Sequence, residues 1–274
     1  MESTIHELKV HALEAFSQFL QRNTISPAKN LPLIHSTPAH HLKKIKASGQ
    51  LHARQCDVFT QDELLYFFVG RPAYKVPLDA GESEYWELPI CFVFEFTSII
   101  PFHRIFPFDS GAFAKQRYPN YITAIGLDEF NLGNDPSIPG KVIGAFFGTS
   151  NDYFRLQAKD KGPFKTEFNL DVFDHEVLAM HKLATDSKRA AIDDRRMTVE
   201  VQINRDIDLA VSRPLAVICP HVYLDNNDFL DHVQGSWNAQ PISYSINALS
   251  SINYYGQIYE KLERFYIDKG YLNK

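Results

Sequence analysis

The residues best able to do chemistry lie in three separated stretches. A histidine is followed by two hydroxyls, His35, Ser36 and Thr37; an aromatic run, YFFVGRPAY, spans Tyr66 to Tyr74; and a single carboxylate, Glu200, sits in MTVEVQI. The first group supplies hydrogen-bond donors and acceptors at a strand end. The second holds Arg71 between Gly70 and Pro72, and a guanidinium is a planar fork of donors suited to phosphate or carboxylate. The third could steady a developing positive charge or take a proton. Taken singly, each also has an ordinary structural reading: a core histidine with a satisfied hydrogen bond, a turn arginine, a glutamate facing water. A further polar segment, Asp109-Ser110-Gly111, lies among phenylalanines and reads either as a plain turn or as an acceptor-recognition loop.

More compact chemistries are excluded. The chain has no GxxxxGK[ST] loop, no GxGxxG turn and no GxSxG elbow. His175 and Glu176 begin like a zincin motif, but His181 follows the first histidine by about 600° of helical rotation, on the wrong face. His40 with His41, and His6 with His11, assemble no three-ligand set, so no metal is expected. Cys56, Cys91 and Cys219 are odd in number and far apart, which argues against a disulfide framework and for a reducing compartment.

The elements that must position these residues are read from periodicity. Ile5, Leu8, Leu13, Phe16, Phe19 and Leu20 predict an amphipathic helix over 5–22, ended near Pro27. LPLIH (31–35) predicts a strand, followed by a helix capped by Ser36 or Thr37 with Pro38 in its first turn and Gly49 as its stop. Strands are predicted at 64–69, 88–96 and 213–220, helices at 141–156, 174–186 and 244–268, and long loops over 99–136. In residues 197–203, Met197, Val199, Val201 and Ile203 share one face of a strand while Thr198, Glu200 and Gln202 share the other. No repeat or linker interrupts the chain, so a single α+β domain over 1–274 is expected, with an N-terminal helix in 1–27, a core over 31–220 and a C-terminal helix over 244–268.

The charge balance, 28 Lys and Arg against 33 Asp and Glu, excludes a globally basic nucleic-acid coat. The 42 residues from Ala15 to Cys56 nevertheless contain no acid, while carrying Arg22, Lys29, Lys43, Lys44, Lys46 and Arg54. Such a run makes a locally positive surface, suited to a phosphate-bearing ligand or simply solvated. With no secretory signal and no apolar run of membrane-spanning length, a cytoplasmic protein without membrane partners is expected.

As a set, the three stretches resemble the DarT family of nucleic-acid ADP-ribosyltransferases. HSTPAHHLKKIKASGQL (35–51) is similar to its opening signature, His-x-Thr followed by a helix containing Asn-Leu and ending in Gly-x-Leu, through His35, Thr37, Leu42, Gly49 and Leu51. Pro38 stands where that family usually has a second histidine, and His41 where it has asparagine. LLYFFVGRPAYKV resembles its aromatic strand running into Pro-Arg-x-Pro-x-x-Tyr, with Gly70 in place of the first proline. RRMTVEVQINRDIDL, followed by LAVICP, resembles the late strand that carries the catalytic glutamate. The order of strand histidine, aromatic strand and late-strand glutamate is also that of the PARP-like branch.

This resemblance implies a split β-sheet core with flanking helices and added N- and C-terminal helices. It implies Glu200 and Arg71 as catalytic residues, NAD as co-substrate, and His35, Ser36, Thr37, Tyr66, Phe67 and Tyr74 as its binding residues. The acceptor would be a DNA or RNA base, in a toxin-like or phage-defence role with an antitoxin or regulator protein as partner. A protein-modifying transferase, and an inactive member that binds a nucleotide or nucleic acid as a sensor, are the alternatives.

Overall fold

Strands form where short runs rich in Val, Ile and Phe are cut by proline, glycine or a polar turn. The computed structural model describes residues 16–22, 26–27, 29–73, 84–186, 197–246 and 252–274. Among the described residues the strands are β1 (Leu33–Pro38), β2 (Gln50–Leu51), β3 (Arg54–Gln55), β4 (Glu63–Val69), β5 (Pro89–Phe94), β6 (Arg104–Phe106), β7 (Glu200–Ile203), β8 (Ile207–Asp208), β9 (Ala216–Pro220) and β10 (Gln240–Tyr244). The main sheet runs β10-β9-β5-β1-β4-β7-β6, with β3 beside β4, while β2 and β8 form a separate pair. Only β9 and β10 pair in parallel among these strands, so the sheet is mixed and the fold is α+β with flanking helices.

The register contains one break that matters for the site. β1 pairs with β5 along six residues, from Leu33↔Phe94 to Pro38↔Pro89, but with β4 at only two, Leu33↔Val69 and Ile34↔Phe68. From His35 onward the two strands part. β4 continues away from β1, pairing with β7 as far as Leu65↔Ile203 and with β3 at Arg54↔Leu64. A notch therefore opens between His35–Pro38 on one side and the first half of β4 on the other. One hydrogen bond crosses it, from His35 Nδ1 to the Tyr66 carbonyl oxygen at 3.0 Å.

Helices close both faces of the sheet. Every residue of β5 is buried, the expected result for a strand covered on both sides. Phe67, Phe92 and Phe94 are completely inaccessible, each contributing about 1.5–3 kcal/mol of transfer free energy. The C-terminal helix Ile252–Asp268 docks through Tyr254, Ile258, Leu262, Phe265 and Tyr266, a stripe at three- and four-residue spacing. The helix Phe16–Arg22 packs Phe16 and Phe19 against Phe146, and its sequence-predicted first turns, from residue 5, lie outside the described residues.

Several expectations need correction. Ser36 and Thr37 are not helix caps: β1 runs on through both because its ladder with β5 continues to Pro38, and a short 3-10 turn Ala39–His41 precedes the helix Leu42–Ser48. Gly49 does stop that helix, at φ 68°. Residues 99–136 are not loops throughout, since they hold β6 and the short helices Ser110–Ala114 and Asn120–Thr123. The helix predicted over 141–156 is two, Ile138–Phe146 and Ser150–Phe154, separated near Gly148 at φ 87°. Of the helix predicted over 244–268, Tyr244 instead ends β10, paired with β9, and the helix spans Ile252–Asp268. The strand predicted over 197–203 begins at Glu200, and Glu200 does not face water: all four residues of β7 are buried.

Candidate active site around the parting of two strands

Alternation along β7 turns Glu200 and Gln202 to one face of the sheet. Glu200 pairs across with Phe68 on β4 and Phe106 on the edge strand β6, so it has a strand on either side and is only 1% exposed. Ser110 meets it from the β6 side. The Ser110 amide donates to Oε2 at 3.0 Å and its hydroxyl to Oε1 at 2.7 Å, while Gln202 Nε2 donates to Oε1 at 2.7 Å. Ser110 is placed by its own short helix, whose cap residue Asp109 accepts the Ala112 amide at 2.7 Å. Burial, and then the negative charge of Asp109, push the Glu200 carboxyl up to about 8 despite those three donors. An acid poised there can exchange a proton near neutral pH.

Tyr66 shares the face of Glu200, because it pairs directly with Gln202. Its hydroxyl lies 2.7 Å from Cys56 Sγ, which also accepts the amides of Val58 and Phe59 at 3.2 and 3.1 Å. Burial, the contact with Cys56 and the charge of Glu200 hold the Tyr66 phenol well above its usual range, so it stays neutral.

On the other side of the notch, burial holds His35 below its ordinary value, and its Nδ1 hydrogen goes to the Tyr66 carbonyl. Nε2 of the neutral ring therefore carries a lone pair. Thr37 Oγ1 lies 2.6 Å from His41 Nδ1, and Arg54 Nη1 lies 3.4 Å from His41 Nε2. Burial and the Arg54 charge push His41 down to about 4, so it too is neutral; Arg54 donates to its Nε2, which leaves the Nδ1 hydrogen for Thr37.

The sequence-predicted residues divide accordingly. His35 and Thr37 lie on the β1 side of the notch; His35 reaches the Tyr66 carbonyl, but its ring meets Phe67 on the face of the sheet opposite the one that holds the Tyr66 and Glu200 side chains. Phe67 is fully buried behind His35, ring to ring at 5.5 Å, and supports it from the core. Ser36 points to the opposite face of β1 from His35 and lies 3.4 Å from Cys91 Sγ. Tyr74 lies outside the described residues.

Arg71 is 3% exposed, its Cζ 5.9 Å from the Tyr153 ring centroid and 5.6 Å from that of Tyr259. The turn that delivers it needs Gly70: φ is +66°, and a Cβ there would lie 2.5 Å from Leu31 Cδ1. Tyr153 fixes the adjoining strand ends, donating its hydroxyl to the Val69 carbonyl at 2.9 Å and accepting the Val199 amide at 3.0 Å.

Sequence reasoning does not place Gln202, Cys56, His41 or Arg54 in the site, and offers Ser110 only within a segment read as a plain turn or an acceptor-recognition loop, not as a partner of Glu200. Gln202 is visible as a polar residue two positions from Glu200, Ser110 as a polar break among phenylalanines, and Arg54 within the acid-free run. His41 is marked only by standing at the asparagine position of the resembled signature, and Cys56 carries no such signal, since its role depends on contacts across the fold.

No protein-family model and no curated protein matches the sequence. Among the described residues, no group of three or more His, Cys, Asp or Glu could hold a metal ion, and no helix is long and apolar enough to cross a membrane.

Proposed function

We propose that this chain is an NAD-dependent ADP-ribosyltransferase whose acceptor is a nucleic acid. One arrangement carries the reading: the neutral imidazole of His35 donates to the Tyr66 carbonyl where β1 leaves β4, and the Tyr66 side chain turns to the face of the sheet that holds the buried carboxyl of Glu200. The motif resemblance to DarT proteins runs through the same three residues.

The residues suit the chemistry. Breaking the bond between nicotinamide and ribose builds positive charge on the sugar, as glycoside hydrolysis does. Glu200, ionised, would stabilise that charge more than the ground state, which is the difference that raises rate. The nicotinamide leaves with the bonding electron pair, the acceptor nitrogen or oxygen bonds to the sugar carbon, and Glu200 takes the proton the acceptor loses. His35 Nε2 can accept a hydrogen bond from a ribose hydroxyl or the carboxamide. Exposed Arg54, beside His41, suits the diphosphate.

The acceptor class rests on the surface next to the notch. Lys43 and Lys44 are exposed on the helix Leu42–Ser48, whereas Lys46 is paired with Asp228 and His52 with Asp206. Tyr85 and Trp86 form an exposed ring pair, each 43% accessible, and the Trp86 carbonyl accepts the His40 amide at 2.7 Å. Cations near exposed rings suit phosphates and bases together. Glu84 and Glu87 flank the rings, so phosphate contact falls to the helix and Arg54.

Incubating the protein with labelled NAD and DNA, RNA or lysate protein tests the reading. Label on nucleic acid with nicotinamide release is the expected result. Label on protein would favour the protein-modifying alternative, and NAD or nucleic-acid binding without nicotinamide release the sensor. Neither binding nor release with any acceptor would overturn the proposal.

A further inference from the structure

Arg104 opens β6 and pairs across with Gln202 on β7. Its guanidinium donates to Gln202 Oε1 at 3.1 Å and to Asp62 Oδ2 at 2.8 Å, and its Cζ lies 4.1 Å from the centroid of the Phe59 ring. A guanidinium has donors only, so the oxygen of the Gln202 amide must face it. The amide nitrogen must then face the other way, where it lies 2.7 Å from Glu200 Oε1 and 3.2 Å from Ser110 Oγ. Ser110, accepting from Gln202, keeps its one hydroxyl hydrogen for Glu200. The Ser110 amide, the Ser110 hydroxyl and the Gln202 amide thus all donate to the Glu200 carboxyl. With the Gln202 amide reversed, a carbonyl oxygen would meet that carboxyl, repelling the anion and rewarding the protonated acid.

We infer that Arg104 is a positioning residue for Glu200: without touching it, Arg104 locks the Gln202 amide so that the carboxyl always faces a donor and ionises more readily than it would with that amide reversed. The inference rests on Glu200 being the acid of the transfer proposed above. Several other groups bear on Glu200. Asp109 and Ser110 face it from the short helix and Tyr66 from β4; beyond Gln202, Asp62 anchors Arg104, with His103 Nε2 3.6 Å from Asp62 Oδ2. The bond from Arg104 holds Asp62 below its ordinary value, so the anchor stays ionised.

Carbon-13 NMR of the glutamate side chains, with the Glu200 signal assigned by its loss in Glu200→Gln, reads the ionisation midpoint directly in the intact chain. Arg104→Met, which keeps side-chain length over Phe59, should raise the midpoint by about one pH unit, a roughly tenfold gain in proton affinity. Gln202→Met should do the same. The double variant should move no further than Gln202→Met alone, because Arg104 acts through that amide; a through-space charge effect would instead add. The pH profile of transfer should move with the midpoint.

Arg104→Gln offers a polar route should the methionine variant not fold, since its amide can face Gln202 either way and no longer dictates the orientation. An unchanged midpoint in either folded variant, or full additivity, overturns the inference. Absence of transfer in the wild type would defeat the proposed function alone, because the titration still reports on Arg104.

Discussion

Ser110 donates its amide hydrogen to one oxygen of Glu200 and its hydroxyl hydrogen to the other, at 3.0 and 2.7 Å. This grip orients an acid that the rest of the fold discourages from ionising, because it is buried and Asp109 stands beside it. The outcome is a carboxyl whose charge is gained late in pH and at the expense of the folded state.

Between about pH 4.5 and 8 the unfolded chain loses the Glu200 proton while the folded chain keeps it, so stability falls as pH rises through that window. Denaturant unfolding of wild type and Glu200→Gln across pH 4.5 to 8.5 should show the wild type losing about 3–5 kcal/mol relative to the variant. A constant difference would mean that the acid ionises normally.

Activity should move the opposite way. If ionised Glu200 is the working form, transfer by the free protein should rise from pH 6 to a plateau above about 8. Glu200→Ala should lower turnover roughly a hundred-fold to a thousand-fold, the equivalent of about 3–4 kcal/mol of transition-state stabilisation. A flat profile, or a variant with full turnover, places the catalytic acid elsewhere.

Tyr153→Phe removes a hydroxyl that joins the Val69 carbonyl to the Val199 amide, next to Glu200. The Val199 amide would lose its partner, while the Val69 carbonyl would keep the Arg71 amide at 2.8 Å, at a cost of about 1–3 kcal/mol in unfolding free energy. Amide hydrogen exchange should quicken at Val199 before it does in β5.

Two arginines should separate structure from ligand contact. Arg71→Ala empties a buried position between Tyr153 and Tyr259 and should cost about 2–4 kcal/mol of stability. Arg54→Ala, at an exposed position, should change stability by less than about 0.5 kcal/mol while weakening NAD binding. Thermal unfolding and a binding isotherm on each variant decide the point.

The strands that frame the site are legible because their runs are short, apolar and punctuated: β4 starts one residue from its predicted position, and β5 falls within the predicted range. The alternation around Glu200 also places Gln202 beside it. What periodicity does not encode is partnership. Nothing local says that β1 leaves β4 after Ile34, that β6 exists as three residues supported by β7, or that Ser110 reaches a residue ninety positions away. The burial of Glu200 escapes a sequence reading for the same reason, since polarity on a strand face signals water only when no other element covers it.

Position 200 can also serve as a reporter of evolutionary pressure. A mutant library sorted solely for heat resistance at alkaline pH should discard the acid within a few rounds, because an amide there relieves the scaffold. The same library sorted for the chain's biological effect should keep it. Sequencing the two pools would then reveal whether the charge is there for work.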